Sequence, residues 1–233
     1  MSGIFYGIGV GPGDPELLTL KAINIIKEVD VIIAPKTEKK EDSVALSIAR
    51  PYLKSDVNIV KQVFPMVVDF EKSPESWEAN KQEILTYLEQ GKKVAFLTLG
   101  DPMFYSTYIY IYRLLENTGI NIETIPGVNS FCAIGSKLGY PLVEGNDILT
   151  IIPATAPQEK IEQAIALSDN VVLMKVYKNF AEVVDSLEKH GLVDNSVMIS
   201  RCGLPEEEII SDIKLAKDKK VNYLSTILAR RKK

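Results

Sequence analysis

The residues best placed to do chemistry lie in Leu99-Gly100-Asp101-Pro102. They follow the apolar run Val94-Ala95-Phe96-Leu97-Thr98 and precede the aromatic-rich stretch Met103 to Tyr108. The run reads as a strand buried on both faces, and Gly-Asp-Pro breaks it just before a helix spanning Tyr105 to Thr118. In an open parallel sheet, ligands sit in the crevice beyond the carboxyl ends of the strands, so Leu99, Gly100 and Asp101 are expected to face that crevice. The competing reading is an ordinary strand-to-helix turn with Asp101 as N-cap.

A second chemical feature is the loop after the strand Asp30-Val31-Ile32-Ile33-Ala34-Pro35. Lys36, Lys39 and Lys40 there stand ready to meet substrate carboxylates, or else form a solvated charged loop. The glycines of Gly7-Ile8-Gly9-Val10-Gly11-Pro12-Gly13-Asp14-Pro15 admit close approach of a ligand or another backbone. Their spacing is not that of a dinucleotide-binding loop, and Pro12 lacks an amide that would cradle phosphate, so a nicotinamide site is rejected. Asp14 is expected to cap a helix that begins at Pro15. The cysteines, Cys132 and Cys202, fit no metal spacing and read as reduced packing residues. The one histidine, His190, falls at a helix end beside Gly191, where a cation is favourable. With one histidine and no ligand spacing, no protein-held metal is expected.

These residues must be positioned by a scaffold of 233 residues, enough for two domains, each with its own core. With 46% hydrophobic and 25% charged residues, the composition is that of an ordinary folded protein and gives no sign of disorder. A net charge of −4 argues against a nucleic-acid footprint but leaves room for a small polyanion met by a local cluster of bases. No apolar run approaches a membrane span and the N-terminus does not read as a signal peptide, so a cytoplasmic protein is expected. Strands alternate with helices along both halves, which predicts an α/β fold of two wound domains, residues 1–125 and 126–233, parted at the rigid turn Pro126-Gly127. Glu206 to Lys220 reads as a solvated charged excursion, and Arg230-Arg231-Lys232-Lys233 as a frayed tail.

Four signatures then occur in order: Gly9-Val10-Gly11-Pro12-Gly13-Asp14-Pro15-Glu16-Leu17-Leu18-Thr19-Leu20, Gly100-Asp101-Pro102, Pro126-Gly127-Val128-Asn129-Ser130 and Gly139-Tyr140-Pro141-Leu142. Together they resemble the tetrapyrrole methylases over essentially the whole chain. The resemblance implies two α/β domains with S-adenosylmethionine in the cleft between them, an anionic tetrapyrrole substrate and a homodimer. Pro35-Lys36, Gly100 to Tyr108 and Pro126 to Gly145 look most like the members that methylate C-20 of precorrin-2 or cobalt-factor II in cobalamin biosynthesis.

Position by position, the resemblance implies that Pro12, Leu99, Gly100, Asp101, Phe104, Ser130 and Phe131 line the cofactor pocket. In the second domain it points, more loosely, to Met174, Cys202, Gly203, Ser225 and Thr226, although Met174 suits plain core packing equally well. Gly100 would let backbone approach the ligand, Leu99 and Phe104 would form apolar walls, and Ser130 would donate to an anionic group.

Methylating a meso carbon leaves a proton to be lost, and Asp101 is the first candidate to accept it. Tyr105 and Tyr108 are candidates to orient the ring, and Lys175 to bind a carboxylate or polarise the macrocycle. Lys36, Lys39, Lys40, Arg50 and Lys137 are candidates for the substrate's peripheral carboxylates. Rival readings are a tetrapyrrole methylase of another ring position, diphthine synthase, or a non-catalytic nucleotide-binding module.

Overall fold

A computed structural model describes residues 3–36, 43–64 and 74–232, which divide into two compact units at Asn129–Ser130. In the first unit five strands, β1 (Ile4–Gly9), β2 (Val31–Lys36), β3 (Asn58–Val63), β4 (Lys93–Thr98) and β5 (Asn121–Ile125), form one sheet in the order β3-β2-β4-β1-β5. Every pairing is parallel. That explains why Val31–Ala34 and Val94–Leu97 are apolar without alternation: helices cover both faces, and all eight residues are buried.

Helices α1 (Leu20–Ile26), α2 (Val44–Ala49), α3 (Pro74–Glu89) and α4 (Tyr108–Leu115) connect the strands. The helix expected at Pro15 is only a single 3-10 turn, Pro15–Leu17, whose Glu16 amide donates to Asp14 Oδ1 at 2.9 Å. The α-helix starts later because Thr19 supplies a second cap, its Oγ1 accepting from the Ala22 amide at 3.1 Å. On one face of the sheet Phe5, Phe64, Trp77, Phe96 and Tyr108 pack as an aromatic core, with Phe5 stacked on Tyr108 at 6.1 Å and Phe64 against Trp77 at 5.2 Å.

The second unit holds β6 (Leu149–Pro153), β7 (Asn170–Met174), β8 (Ser196–Ser200), β9 (Glu208–Ile210) and β10 (Ser225–Arg230), ordered β6-β7-β10-β8-β9. Only β6 and β7 pair in parallel; β10 is antiparallel to both its neighbours, and β9 to β8. The expected repeat of wound parallel units therefore stops after β8. Residues 201–207 are too few for the crossover helix that a parallel neighbour requires. Helices α5 (Ser130–Leu138), α6 (Gln158–Ala166) and α7 (Phe180–Lys189) complete the unit.

Two segments read as solvent-facing are structural instead. Within 206–220, β9 extends the sheet and Ile210, Ile213 and Ala216 are buried in the core, because isolated apolar residues among charges are enough to anchor the excursion. Arg231 is no frayed tail. Its Nε donates to Ser168 O at 3.0 Å, Nη1 to His190 O at 2.9 Å and Nη2 to Ala166 O at 3.1 Å, so one guanidinium serves the orphan carbonyls at the ends of α6 and α7. Arg231→Met should lower the free energy of unfolding in urea by about 2 kcal/mol; a variant as stable as the parent would return Arg231 to the tail.

Candidate functional site

The loops that leave β1, β4 and β5 meet at the carboxyl edge of the first sheet because β1 lies between the other two strands. Gly11 and Gly100 exchange backbone hydrogen bonds, Gly100 N to Gly11 O at 2.8 Å and Gly11 N to Gly100 O at 3.3 Å. Asp101 adds a side-chain tie. Its Oδ1 accepts from the Met103 amide at 2.8 Å and its Oδ2 from the Gly127 amide at 3.0 Å. Three loops, far apart in sequence, are thus locked into one clasp. A Cβ on Gly9 would stand 2.6 Å from Gly127 N and 2.7 Å from Gly100 O, so the loops close only because these positions are bare.

Gly100 differs from its partners. It lies at φ +72, and among the described residues nothing comes within 4 Å of where its Cβ would be, so its backbone borders open space. Thr98, one residue before Leu99, is 6% exposed, and its Oγ1 finds no partner among the described residues. An open glycine backbone and an unsatisfied buried hydroxyl at the end of β4 suit a polar small-molecule ligand. Pro12 is buried in the β1 loop, while Leu99 and Asp101 are half-buried.

After the clasp the chain presents Phe104 and Tyr105, their rings edge to face at 4.8 Å. Tyr105 is 44% exposed at φ +47, a left-handed conformation that costs a bulky residue about 1–2 kcal/mol. The Phe104 amide donates to Asp101 O at 3.2 Å, and the buried Ser106 donates its hydroxyl to Pro102 O, which hold the turn in that shape. The turn also delays the helix: α4 begins at Tyr108, not Tyr105, and Asp101 braces the loop rather than capping that helix.

Tyr108 is not available to orient a substrate. It is 0% exposed, packs on Phe5 and Phe96, and its hydroxyl meets Thr124 Oγ1 at 2.7 Å. Burial pushes its phenol up to about 12. A glycine at position 7 makes room for this ring from the sheet side. Lys36 ends β2 and is half-buried, and Arg50 is exposed in a turn after α2. Lys39 and Lys40 lie outside the described residues.

In the second unit the antiparallel register gathers what lay far apart in sequence. Met174 stands opposite Thr226, Ser200 opposite Ser225, and the Arg201 amide donates to Leu224 O at 2.8 Å. Ser225 and Thr226 are buried, and the Ser225 hydroxyl is engaged by Ser200 Oγ at 2.7 Å and by Asn222 O at 2.7 Å. Lys175 follows Met174 at φ +59, its ammonium disfavoured and its pKa lowered by burial. Ser130 opens α5 half-buried, and Phe131 is 7% exposed in the core.

Lys137 is committed elsewhere than to a substrate: its Nζ lies 2.6 Å from Glu207 Oε1. Glu207 also accepts from the Gly203 amide at 2.6 Å, fixing the Cys202–Gly203 turn in which Gly203 adopts φ +73. Cys202 is buried, and its thiol pKa is raised by that burial and by the neighbouring Glu207 charge. Glu207, Thr98 and Gly127 are the residues that sequence reasoning passed over for this role. Glu207 hid inside a run of three glutamates, where a solvated face is the ordinary reading.

Residues 5–216 match the family described as Tetrapyrrole (Corrin/Porphyrin) Methylases. The chain is 37% identical over 231 residues to the cobalt-precorrin-2 C(20)-methyltransferase of Salmonella typhimurium, covering 98% of this chain and 96% of that one. Among solved structures, a cobalt precorrin-4 methyltransferase superposes with a TM-score of 0.77 at 21% identity, over 97% of this chain and 94% of its own. The uroporphyrin-III C-methyltransferase of Thermus thermophilus, solved with S-adenosylhomocysteine, gives 0.72 at 20% identity, over 98% and 92%. At such identities the two structures speak for the fold.

Proposed function

This chain belongs to the tetrapyrrole methylase family, and from that premise we propose that it transfers a methyl group from S-adenosylmethionine to C-20 of cobalt-precorrin-2. The near full-length 37% identity to an enzyme of that name carries the reading. When bound, S-adenosylmethionine supplies a methyl already activated on a sulfonium, so the protein's task is positioning more than covalent help. The residues at the clasp suit such a ligand. The open Gly100 backbone allows close approach, Leu99 and Phe104 offer apolar surface, and the unsatisfied Thr98 hydroxyl offers a hydrogen bond.

In this proposal Pro12, Leu99, Gly100, Asp101 and Phe104 hold the donor from the first unit. Ser130, Phe131, Met174, Cys202, Gly203, Ser225 and Thr226 are the second unit's candidates. Asp101 works chiefly by keeping the clasp closed, since both its oxygens accept backbone amides. Each oxygen retains a further lone pair, so uptake of the C-20 proton stays a second and testable duty. Tyr105 presents its ring to the macrocycle from a strained turn. Lys175, whose pKa burial lowers, meets a substrate carboxylate, which favours the charged form. Lys36 and Lys39 are the first unit's candidates for the remaining carboxylates. The working protein is a homodimer, as the family resemblance implies, and acts in the cytoplasm, as expected from the sequence. Among the described residues no helix is long and apolar enough to cross a membrane.

The test is to incubate the protein with S-adenosylmethionine and either cobalt-loaded or metal-free precorrin-2 and to locate the new methyl by NMR. A methyl at C-20, formed faster on the cobalt substrate, is expected. A methyl at another ring position, or transfer only to a protein acceptor, would replace this activity with that of a sister enzyme.

A further inference from the structure

Resting on the reading of a tetrapyrrole substrate, we propose that Tyr177, Tyr223 and Lys178 form a subsite for the face and one carboxylate edge of the macrocycle. Because β10 runs antiparallel to β7 with Thr226 opposite Met174, the chain leaving Met174 and the chain approaching Ser225 emerge at the same end of the second sheet. That register brings Tyr177 and Tyr223 together, ring centroids 5.1 Å apart and planes at 65°. Tyr177 is half-buried with one side packed against the core, and Tyr223 remains 43% exposed, so the pair forms a partly open aromatic ledge.

Lys178 places its Nζ 5.6 Å from the Tyr177 ring centroid. Lys175 and Arg201 bring two more cations to the same end, Arg201 partly balanced by Glu206 at 3.8 Å. Rigid rings give a large contact area at little entropic cost, and flat ligands pack on them in offset or edge-on arrangements. In a chain of net charge −4, a ledge of tyrosines beside lysines and an arginine suits one ligand chemistry best: a planar polycarboxylate.

Intact protein carrying Tyr223→Leu or Lys178→Gln would be assayed for KM toward cobalt-precorrin-2 and for the Kd of S-adenosylhomocysteine. Binding of uroporphyrin, a stable planar polycarboxylate, would be measured alongside. Tyr223→Leu should raise the tetrapyrrole KM and the uroporphyrin Kd about tenfold. Lys178→Gln should raise them about threefold and flatten their salt dependence. Neither should change the donor analogue's Kd, and Tyr223→Phe should behave as the parent. Unchanged tetrapyrrole KM and uroporphyrin Kd in natively folded Tyr223→Leu would overturn the subsite, as would an equal loss of donor binding. Should Tyr223→Leu fail to fold, Tyr177→Leu decides by the same readouts. If the parent protein methylates no tetrapyrrole, the activity proposed above is wrong, and uroporphyrin binding alone decides the ledge.

Discussion

Replacing Gly127 with alanine should cost about 3 kcal/mol of stability and weaken donor binding more than tenfold. The added Cβ would stand 2.8 Å from Gly9 Cα and closer still to Gly100 O, so it meets backbone on two sides. Backbone atoms of two strand ends cannot swing aside as a flexible side chain would. Relief must come from prising apart the loops after β1, β4 and β5, which also lengthens the bond from the Gly127 amide to Asp101. Gly100→Ala supplies the contrast. Its Cβ would touch none of the described residues, so its stability cost is the left-handed strain of about 1 kcal/mol, yet it enters the space proposed above for the ligand. Urea unfolding beside calorimetric titration with S-adenosylhomocysteine separates the two: Gly127→Ala should lose both stability and affinity, Gly100→Ala chiefly affinity. A Gly127→Ala protein with parental stability would mean that the three loops are not locked together.

Much of the first unit was legible because its signals are local. Strands buried on both faces announce themselves as unbroken apolar runs, as in Val31–Ala34 and Val94–Leu97, and Gly100-Asp101-Pro102 marks where one of them ends. Tyr108 was misjudged because an aromatic stretch does not reveal which of its rings faces the core; that depends on where the helix begins, and the strained turn at Tyr105 moves the start. Four of the second unit's strands could be found, but β9 was hidden among the charges of 206–220, and the strand directions could not be read, since direction depends on what each connection spans. The short link 201–207 was the available clue to an antiparallel partner. Glu207 and Arg231 were read by charge alone, and a charged side chain becomes structural only when distant backbone comes within reach, here Gly203 for one and the ends of α6 and α7 for the other.

Asp101→Asn should destabilise the protein by about 2 kcal/mol and raise the donor's Kd at least tenfold, while kcat at saturating donor and substrate falls less than tenfold. The carboxylate accepts one amide on each oxygen, from Met103 and from Gly127. An asparagine keeps one acceptor and turns an N–H toward the other amide, so one charge-assisted bond is lost and two donors face each other. The loop after β5 is then less firmly tied to the loop after β4, and the Gly100 backbone loses the shape proposed to receive the ligand. Saturation restores occupancy, which is why the loss should reside in Kd. A base that removes the C-20 proton predicts the reverse pattern: donor affinity preserved, kcat down by about a hundredfold or more, and the acidic limb of the pH–rate profile gone. Measuring Kd, kcat and the pH profile on one preparation therefore tells a brace from a base, and the second pattern would move Asp101 from holding the loops to carrying out the reaction.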